Sequence, residues 1–316
     1  MTDFLLLEQI HKLISELKKP RLMFRKGICA RGYFQPYMSF SEYTDAELFQ
    51  GDVPEFPVTV RFSSMLGDAG TADTMRNLRG MSIRFHGREA IHDMICSSLP
   101  VFFIHEMGLF PQLHKALTVQ ESFDRIEAER FWRFVVEHPE ALNSALRLYS
   151  SCGLGESYLN IRWYEVNPCI WQKDEKDMAY VRCQWRPLSH QEKPVFRSYA
   201  EFLAGFDPHR AGNELRRCIG EGNFPVFEMM VQMVDPECYR QRPEYQRRTL
   251  QWEESSHPAT AIGIMKLTEI AEDDRDRTLT DFAPGNTMPG ISLCGDEFSG
   301  MMDYLYRRSA AERGCI

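Results

Sequence analysis

The sequence lacks the features that assign a chain to a membrane, to the disulfide-rich secreted proteins or to nucleic acid. Its longest apolar run, around residues 99–104, is far too short to cross a lipid bilayer. Its nine cysteines are dispersed and form no C-x-x-C pair, which argues against a disulfide framework or a zinc site and predicts reduced thiols. A net charge of −8 argues against a general binder of nucleic acid or of anionic membranes.

The beginning of the sequence also lacks the pattern of a signal peptide. Charged residues are interleaved with apolar residues at helical spacing over residues 1–19, so this segment is predicted to be an amphipathic helix. Together, these absences predict a soluble protein of the cytoplasm.

The patterning that is present predicts a mixed fold with a large core. The chain has 316 residues, of which 43% are hydrophobic and 26% are charged. Apolar and polar residues alternate over residues 58–63 and 81–85, which predicts two strands. Further strands are expected at residues 179–185, 224–234 and 261–267, and helices at 122–149, 198–220 and 296–313. We predict an α+β protein in which an antiparallel sheet or barrel carries inserted and appended helices.

Five segments resemble motifs of the haem catalases, in the same order. RFSSMLGDAGTADTMRNLRGMSIRFH (residues 61–86) is similar to R-F-S-x-x-x-G-x-x-G-x-A-D-T-x-R-D-x-R-G-F-x-x-K-F, and DMICSSLPVFF (93–103) to D-L-V-G-N-N-x-P-x-F-F. GNFPVFE (222–228) and FAPGNTMPGI (282–291) resemble G-N-Y/F-P-x-x-E and F-x-P-x-N-x-x-P-G-I. RLMFRKGICARGYF (21–34) matches R-x-x-H-A-x-G followed by G-x-F, with phenylalanine where that motif has histidine. The chain is identified as a member of the haem catalase superfamily.

This resemblance implies a closed eight-stranded antiparallel β-barrel with surrounding helices, and haem b bound against the barrel. It implies one catalase-like haem domain over residues 1–316, which resembles a catalase shortened at both ends. Catalases associate through an N-terminal arm and an extra C-terminal domain. We therefore expect a homodimer or a monomer.

The resemblance also implies a haem cradle, with Tyr306 as the axial ligand of the iron. The other matched positions are Arg21, Arg61 and Arg313 for the haem propionates, Phe110 against the porphyrin, and Phe102 and Phe103 on the distal side. Propionates carry negative charge into an apolar cleft and need fixed cationic partners, for which arginine is well suited. Tyr306 and Arg313 are seven residues apart and therefore share one helix face. Singly, each of these residues would be interpreted as an ordinary surface arginine or core aromatic.

Three matched positions have changed, and all three affect reactivity. Phe24 replaces the distal histidine, Ser97 replaces the distal asparagine, and Met302 replaces the arginine one turn before the axial tyrosine. Neither Phe24 nor Ser97 can transfer a proton as imidazole does, and Ser63, which matches the serine that supports the histidine, is equally poor as a base. Without an arginine beside it, the phenolate is either a stronger donor or more readily protonated. Efficient dismutation of hydrogen peroxide is not expected.

Several residues near these motifs remain alternatives. Tyr304 is a second candidate ligand, although it points about 160° away from Tyr306 at ~100° per residue. Arg307 or Arg308 is a candidate replacement for the lost arginine. A histidine near the motifs could restore a base, the candidates being His86, His92, His105 and His114. The thiol of Cys29 or Cys96 could be a nucleophile or an extra ligand. The other interpretation of each is an ordinary core or surface residue.

Three functions agree with this pattern. The first is a haem b enzyme that acts on an organic hydroperoxide or an N–O compound by isomerisation, dehydration or oxidation, since the iron can perform such chemistry when the substrate brings its own leaving group. The second is a slow haem peroxidase. The third is a haem-binding protein without catalytic activity.

Overall fold

The fold was analysed in a computed structural model of the chain. The structure describes residues 4–16, 23–51, 54–67, 70–120, 125–174, 177–190, 195–271 and 281–313. Arg21 lies outside the described residues, and so does the side chain of Arg313 at the end of the last helix.

The described part of the chain contains twelve β-strands. Five of them correspond to the five predicted strands. Four of these five extend beyond the predicted segments, and β10 begins two residues later than predicted. They are β1 Gly27–Pro36, β2 Phe56–Ser64, β3 Arg79–His86, β4 Ile91–Ser97, β5 Val119–Gln120, β6 Arg125–Ile126, β7 Trp163–Glu165, β8 Cys169–Gln172, β9 Met178–Pro187, β10 Val226–Val234, β11 Thr260–Ala271 and β12 Ile291–Leu293.

Eight of these strands close into an antiparallel barrel. Hydrogen-bonded neighbours follow the order β10, β11, β1, β2, β3, β4, β7 and β9, and β9 pairs with β10 to complete the ring. The closing pair runs from Phe227 opposite Pro187 to Val234 opposite Tyr180. The predicted closed barrel is therefore confirmed. β8 and β12 extend the sheet from β9, while β5 and β6 form a separate pair.

Aromatic side chains fill the barrel interior, because successive residues of a strand alternate between its two faces. Phe34 packs edge-on against Phe85 with ring centroids 5.4 Å apart and against Trp185 at 5.9 Å. Phe62 and Trp163 are equally buried on the same side of the sheet. Each such ring contributes roughly 1.5–3 kcal/mol by leaving water, so the interior is a packed core.

Nine helices surround the barrel in the described residues, and none of them is both long and apolar enough to span a membrane. They are α1 Phe4–Glu16, α2 Phe110–Leu117, α3 Ala128–Glu137, α4 Leu142–Tyr149, α5 Arg197–Phe206, α6 Arg210–Gly220, α7 Pro236–Gln241, α8 Pro243–Gln246 and α9 Glu297–Arg313.

The prediction of single helices over residues 122–149 and 198–220 was wrong. The first begins only at Ala128 and is interrupted by a 3₁₀ turn at Pro139–Ala141, and the second is interrupted at Pro208. Proline supplies no N–H for the helical hydrogen bond and disfavours helical geometry in the preceding residue. The amphipathic spacing continued through both prolines and hid these breaks.

Helices α1, α2, α3 and α9 enclose a second core outside the barrel. Leu6 and Ile10 of α1 are buried in it together with Met301 and Leu305 of α9. This second core holds α9 beside the barrel, and the candidate site lies between the two.

Candidate functional site

A pocket of about 1040 Å³ of empty space, part of it open to solvent, separates the barrel from α9. Strands β2, β3 and β4 supply one wall, and one face of α9 supplies the opposite wall. Eight of the predicted site residues line it: Phe24, Arg61, Ser63, Ser97, Phe102, Phe110, Met302 and Tyr306. Phe103 does not line the pocket, because it is fully buried behind Phe102 with the two ring centroids 6.0 Å apart.

Phe24 lies in the wall formed by the barrel strands. Its φ of 57° falls in the left-handed region, and it is the only non-glycine residue with positive φ in the described chain. Its N–H donates to the carbonyl of Met65 at 3.0 Å, which fixes the backbone in this conformation. A Cβ on Gly80 would lie 2.8 Å from Phe24 Cε1 and 3.1 Å from Ser63 Oγ. Gly80 therefore leaves room for the Phe24 ring, which lies beside the Ser63 hydroxyl.

Two serines supply hydroxyl groups near this ring. Ser63 Oγ donates to the carbonyl of Gly80 at 3.4 Å, and Ser97 Oγ accepts the N–H of Leu99 at 3.0 Å. Both serines are buried. All nine histidines of the chain lie within the described residues, and none of them lines the pocket. No imidazole elsewhere in the sequence therefore takes the place of the group that Phe24 lacks.

Arg61 is the charged side chain of the described pocket lining. It is 6% exposed, and its Nη2 donates to the carbonyl of Arg25 at 3.3 Å. A Cβ on Gly27 would lie 2.5 Å from Arg61 Nη2, so glycine at this position makes space for the guanidinium. This close approach explains why the motif has glycine at position 27.

The opposite wall is one face of α9. Phe298, Met302, Leu305, Tyr306 and Ser309 recur at helical spacing and all line the pocket. Tyr304 packs in the second core and does not line the pocket. The structure therefore brings Tyr306 to the pocket and leaves Tyr304 elsewhere.

The two arginines that follow Tyr306 interact with carboxylates of their own helix. Arg307 Nε donates to Asp303 Oδ2 at 2.8 Å, and Arg308 pairs with Glu312. Neither of them lines the pocket. Their sequence positions suggested replacements for the arginine lost at Met302, but their side chains lie away from that site.

A buried ion pair anchors the segment that leads into α9. Arg84 binds both carboxylate oxygens of Asp93, each at 2.7 Å. Asp93 Oδ2 also accepts the N–H of Ala283 at 3.0 Å and the amide of Asn286 at 2.8 Å. Removing one partner of such a pair typically costs about 3–5 kcal/mol. The pair therefore positions residues 281–291 against β3 and β4.

Asn167, which the sequence did not single out, and Cys96, which was an alternative there, also line the pocket. Asn167 follows β7, and its Oδ1 is buried without a hydrogen-bond partner in the described chain. A buried acceptor of this kind is satisfied when a ligand supplies a donor. Cys96 stands where the quoted motif has glycine, and burial, with a smaller effect of Glu165, raises its thiol pKa well above the usual value. Cys96 is therefore a neutral thiol rather than a nucleophilic thiolate.

These residues fit haem b. The pocket lies between two largely apolar walls, Gly27 leaves space for the Arg61 guanidinium, and Tyr306 provides a phenol on the α9 wall. Haem b needs apolar surface for its porphyrin, cations for its propionates and an axial ligand for its iron, for which a tyrosine is one of the established residue types. Arg61 would hold a propionate, and Tyr306 would bind the iron.

An eight-stranded antiparallel barrel with an outer pocket closed by a C-terminal helix defines a catalase-like fold. Yeast catalase A from Saccharomyces cerevisiae matches it with a TM-score of 0.87 at 23% identity, over 95% of this chain and 62% of that chain. A fungal catalase matches with a TM-score of 0.87 at 25% identity, over 95% and 60% of the two chains.

Sequence comparison agrees. The family model described as Catalase matches residues 1–313. Catalase-2 of Bacillus subtilis (strain 168) is 30% identical over 302 residues, which cover 94% of this chain and 44% of that protein. Catalase isozyme A of Oryza sativa subsp. indica is 26% identical, over 94% of this chain and 61% of that protein. The chain belongs to the catalase family and spans about half the length of the curated relatives that it matches.

Proposed function

We propose that this protein is a haem b-dependent enzyme that acts on an organic substrate with an O–O or N–O bond and is a poor catalyst of hydrogen peroxide dismutation. The observation that carries the proposal is the position of Phe24. Its ring lies beside Ser63 in the pocket wall, at the position where the family motif has a histidine. None of the histidines of the chain lines the pocket.

The proposed role of the cradle is binding and orientation. Arg61 holds one propionate, and Phe110 packs against the porphyrin. Tyr306 is the iron ligand, in preference to Tyr304, because only Tyr306 lines the pocket. The propionate contacts assigned to Arg21 and Arg313 remain predictions, since the structure describes neither side chain. When bound, the haem supplies the chemistry that breaks the O–O or N–O bond.

The pocket residues select for a carbon-bearing substrate. Phe24, Met65, Leu78 and Ile95 make the barrel wall apolar, so an alkyl or aryl group gains free energy by leaving water there. The hydroxyls of Ser63 and Ser97 orient the polar end of the substrate by hydrogen bonds. A positioned side chain that transfers a proton typically raises the reaction rate by about 10²–10⁴-fold, and without the histidine hydrogen peroxide does not react at this increased rate. A substrate with a good leaving group depends less on this proton transfer.

The first experiment concerns the ligand. The ferric absorption spectrum of the haem-loaded protein is compared with those of Tyr306→Phe and of the matched control Tyr304→Phe. Each variant removes one phenol hydroxyl from the same helix and keeps the ring, but only Tyr306 lines the pocket. We expect a high-spin tyrosinate spectrum that Tyr306→Phe abolishes or shifts and Tyr304→Phe leaves unchanged. Equal effects of the two variants would contradict the assignment.

The second experiment concerns the substrate. Turnover of an alkyl hydroperoxide, of an N–O compound and of hydrogen peroxide is measured against the same concentration of free haem. We expect an organic substrate to be consumed faster than by free haem, and hydrogen peroxide to be consumed slowly. Rapid peroxide consumption with an electron donor would favour a peroxidase. Tight haem binding with no reaction above free haem would favour a non-catalytic binder, and either result would overturn the proposal.

A further inference from the structure

Three buried side chains of types that can bind a metal ion meet where β7 and β8 adjoin β9, outside the haem pocket. Glu165 ends β7, Cys169 begins β8, and Cys183 lies in the middle of β9. A carboxylate oxygen and the two sulfur atoms all lie within 4.8 Å of one another, and all three residues are buried. None of the three lines the haem pocket.

The strand pairing explains why these residues meet. β7 and β8 pair with successive parts of β9, with Tyr164 opposite Gln184 and Cys169 opposite Val181. The short link between β7 and β8 contains Pro168, which interrupts the ladder at this point. Glu165 and Cys169 therefore face Cys183 from the two sides of the interruption.

The polar groups of this cluster are incompletely satisfied. Glu165 Oε2 is buried without a hydrogen-bond partner among the described residues. A buried polar atom without a partner is unusual in a native protein and requires an explanation. A cation bound between the carboxylate and the sulfur atoms would satisfy it.

A buried cation beside the cluster has no carboxylate partner. Arg182 is 7% exposed, and its two Nη groups donate to the carbonyls of Leu250 at 2.8 Å and Arg247 at 3.0 Å. Its Nε has no hydrogen-bond partner, and it makes no salt bridge in the part of the chain that the structure describes. Arg182 and Glu165 interact electrostatically. The Arg182 guanidinium also lies over the Trp252 ring, with Cζ 4.8 Å from the ring centroid. An anionic cluster here would give this buried charge a counter-charge.

We propose that Glu165, Cys169 and Cys183 bind one thiophilic divalent cation, with Zn²⁺ as the natural occupant and a water molecule as the fourth ligand. Thiolates and a carboxylate are established ligand types for zinc, and thiolates select it over harder ions. Two thiolates and a carboxylate carry three negative charges, which the cation and Arg182 together balance. The metal would link β7, β8 and β9 where the ladder is interrupted.

Two crevices give access to the cluster. A crevice of about 320 Å³ is lined by Glu165 and Cys169, and another of about 380 Å³ is lined by Glu165 and Cys183. Both are separate from the haem pocket in their main lining, although Asn167 and Ile95 border both the first crevice and that pocket. The cluster therefore borders two crevices other than the haem pocket.

Cd²⁺ is the probe of choice, because thiolates bound to it add an ultraviolet charge-transfer absorption that serine cannot give. Difference spectra of the haem-loaded full chain are recorded during titration. We expect one Cd²⁺ per chain, displaced by Zn²⁺, with the absorption about halved in Cys183→Ser and lost in the double variant Cys169→Ser/Cys183→Ser. Glu165→Gln should keep the absorption and weaken Cd²⁺ binding. Loss of a residue that only supports a metal ligand typically weakens binding about 10–100-fold, and loss of the ligand itself should cost at least as much.

The matched control is Cys218→Ser, which removes a buried thiol of α6 outside the cluster and should change nothing. Persistence of the absorption in the double variant would overturn the proposal. So would a failure of the folded wild-type protein to take up Cd²⁺. A thiol titration after denaturation distinguishes a metal site from a disulfide. Seven free thiols instead of the nine in the sequence would indicate a Cys169–Cys183 disulfide and no metal site.

Discussion

Replacing Phe24 with histidine restores the one group whose absence carries the proposed function. The Phe24 ring and Ser63 Oγ approach the same point above Gly80, to 2.8 Å and 3.1 Å, so an imidazole at position 24 would lie beside the serine hydroxyl. Histidine is also enriched among residues with positive φ, so the 57° φ of this position does not disfavour the substitution. The fold should therefore accept the change.

The expected increase in the rate of hydrogen peroxide consumption can be bounded. A positioned general acid–base group contributes about 10²–10⁴-fold, and Ser97 still lacks the amide that would polarise the peroxide. We expect hydrogen peroxide consumption by haem-loaded Phe24→His to rise toward the lower end of this range, about 10²-fold. Adding Ser97→Asn should raise it further, and adding Ser63→Ala should reduce the gain, because the serine orients the imidazole.

The assay is oxygen release at equal haem content, with Phe24→Leu as the control for changed pocket volume without a proton donor. Leucine should leave the rate near that of the wild type. If Phe24→His retains the wild-type haem spectrum and releases oxygen no faster than Phe24→Leu, the absent histidine is not what limits dismutation, and the reasoning fails.

Two further predictions follow from the geometry. Gly27→Ala places a methyl group 2.5 Å from Arg61 Nη2 and 2.7 Å from the backbone carbonyl oxygen of Phe62. We expect the guanidinium to be displaced and haem affinity to fall about 10–100-fold through loss of a charge-assisted bond worth about 1.5–3 kcal/mol. Gly205→Ala is the control, since nothing lies within 4 Å of its added Cβ, and equal affinities in a haem titration would refute the role of Arg61. Burial lowers the pKa of His92 to about 4 from its ordinary 6.5, so the unfolded chain binds the proton more readily. Stability present above pH 6.5 should be lost as the pH falls toward 4, by on the order of 3 kcal/mol. His92→Phe, which keeps the ring stacked on Phe85, should flatten this part of the pH dependence in urea unfolding, and an unchanged profile would contradict the shift.

Much of the candidate site could be predicted from the sequence. Its motifs are short and local, and each brings its residues to a strand or to one helix face, so Phe24, Arg61, Ser63, Ser97 and Tyr306 were found before any contact was known. Five of the six longest strands, β2, β3, β9, β10 and β11, were predicted from their patterning. β1 was not predicted as a strand, because its alternation is weak and Gly27, Gly32 and Pro36 punctuate it. β4 was missed because His92, Asp93 and Ser97 lie among its buried positions, and β7, β8 and β12 are too short to show a period.

The oligomeric state, the cellular compartment and the roles of the individual site residues remain predictions. The composition argued for reduced thiols and against a zinc site, because no two cysteines are close in sequence. The fold brings Cys169 and Cys183 together across β8 and β9, with Glu165 from β7. Spacing along the chain is therefore a poor guide to ligand clusters in a barrel, where neighbouring strands come from distant segments.

The amino-acid sequence by itself determined the fold class, the order of the family motifs and the loss of the distal histidine, because these depend on residue type and local spacing. Only the tertiary structure decided that β9 closes on β10, that none of the nine histidines lines the pocket and that Tyr306 rather than Tyr304 faces it. Those facts depend on hydrogen bonds and packing between segments far apart in the chain, which no local pattern encodes.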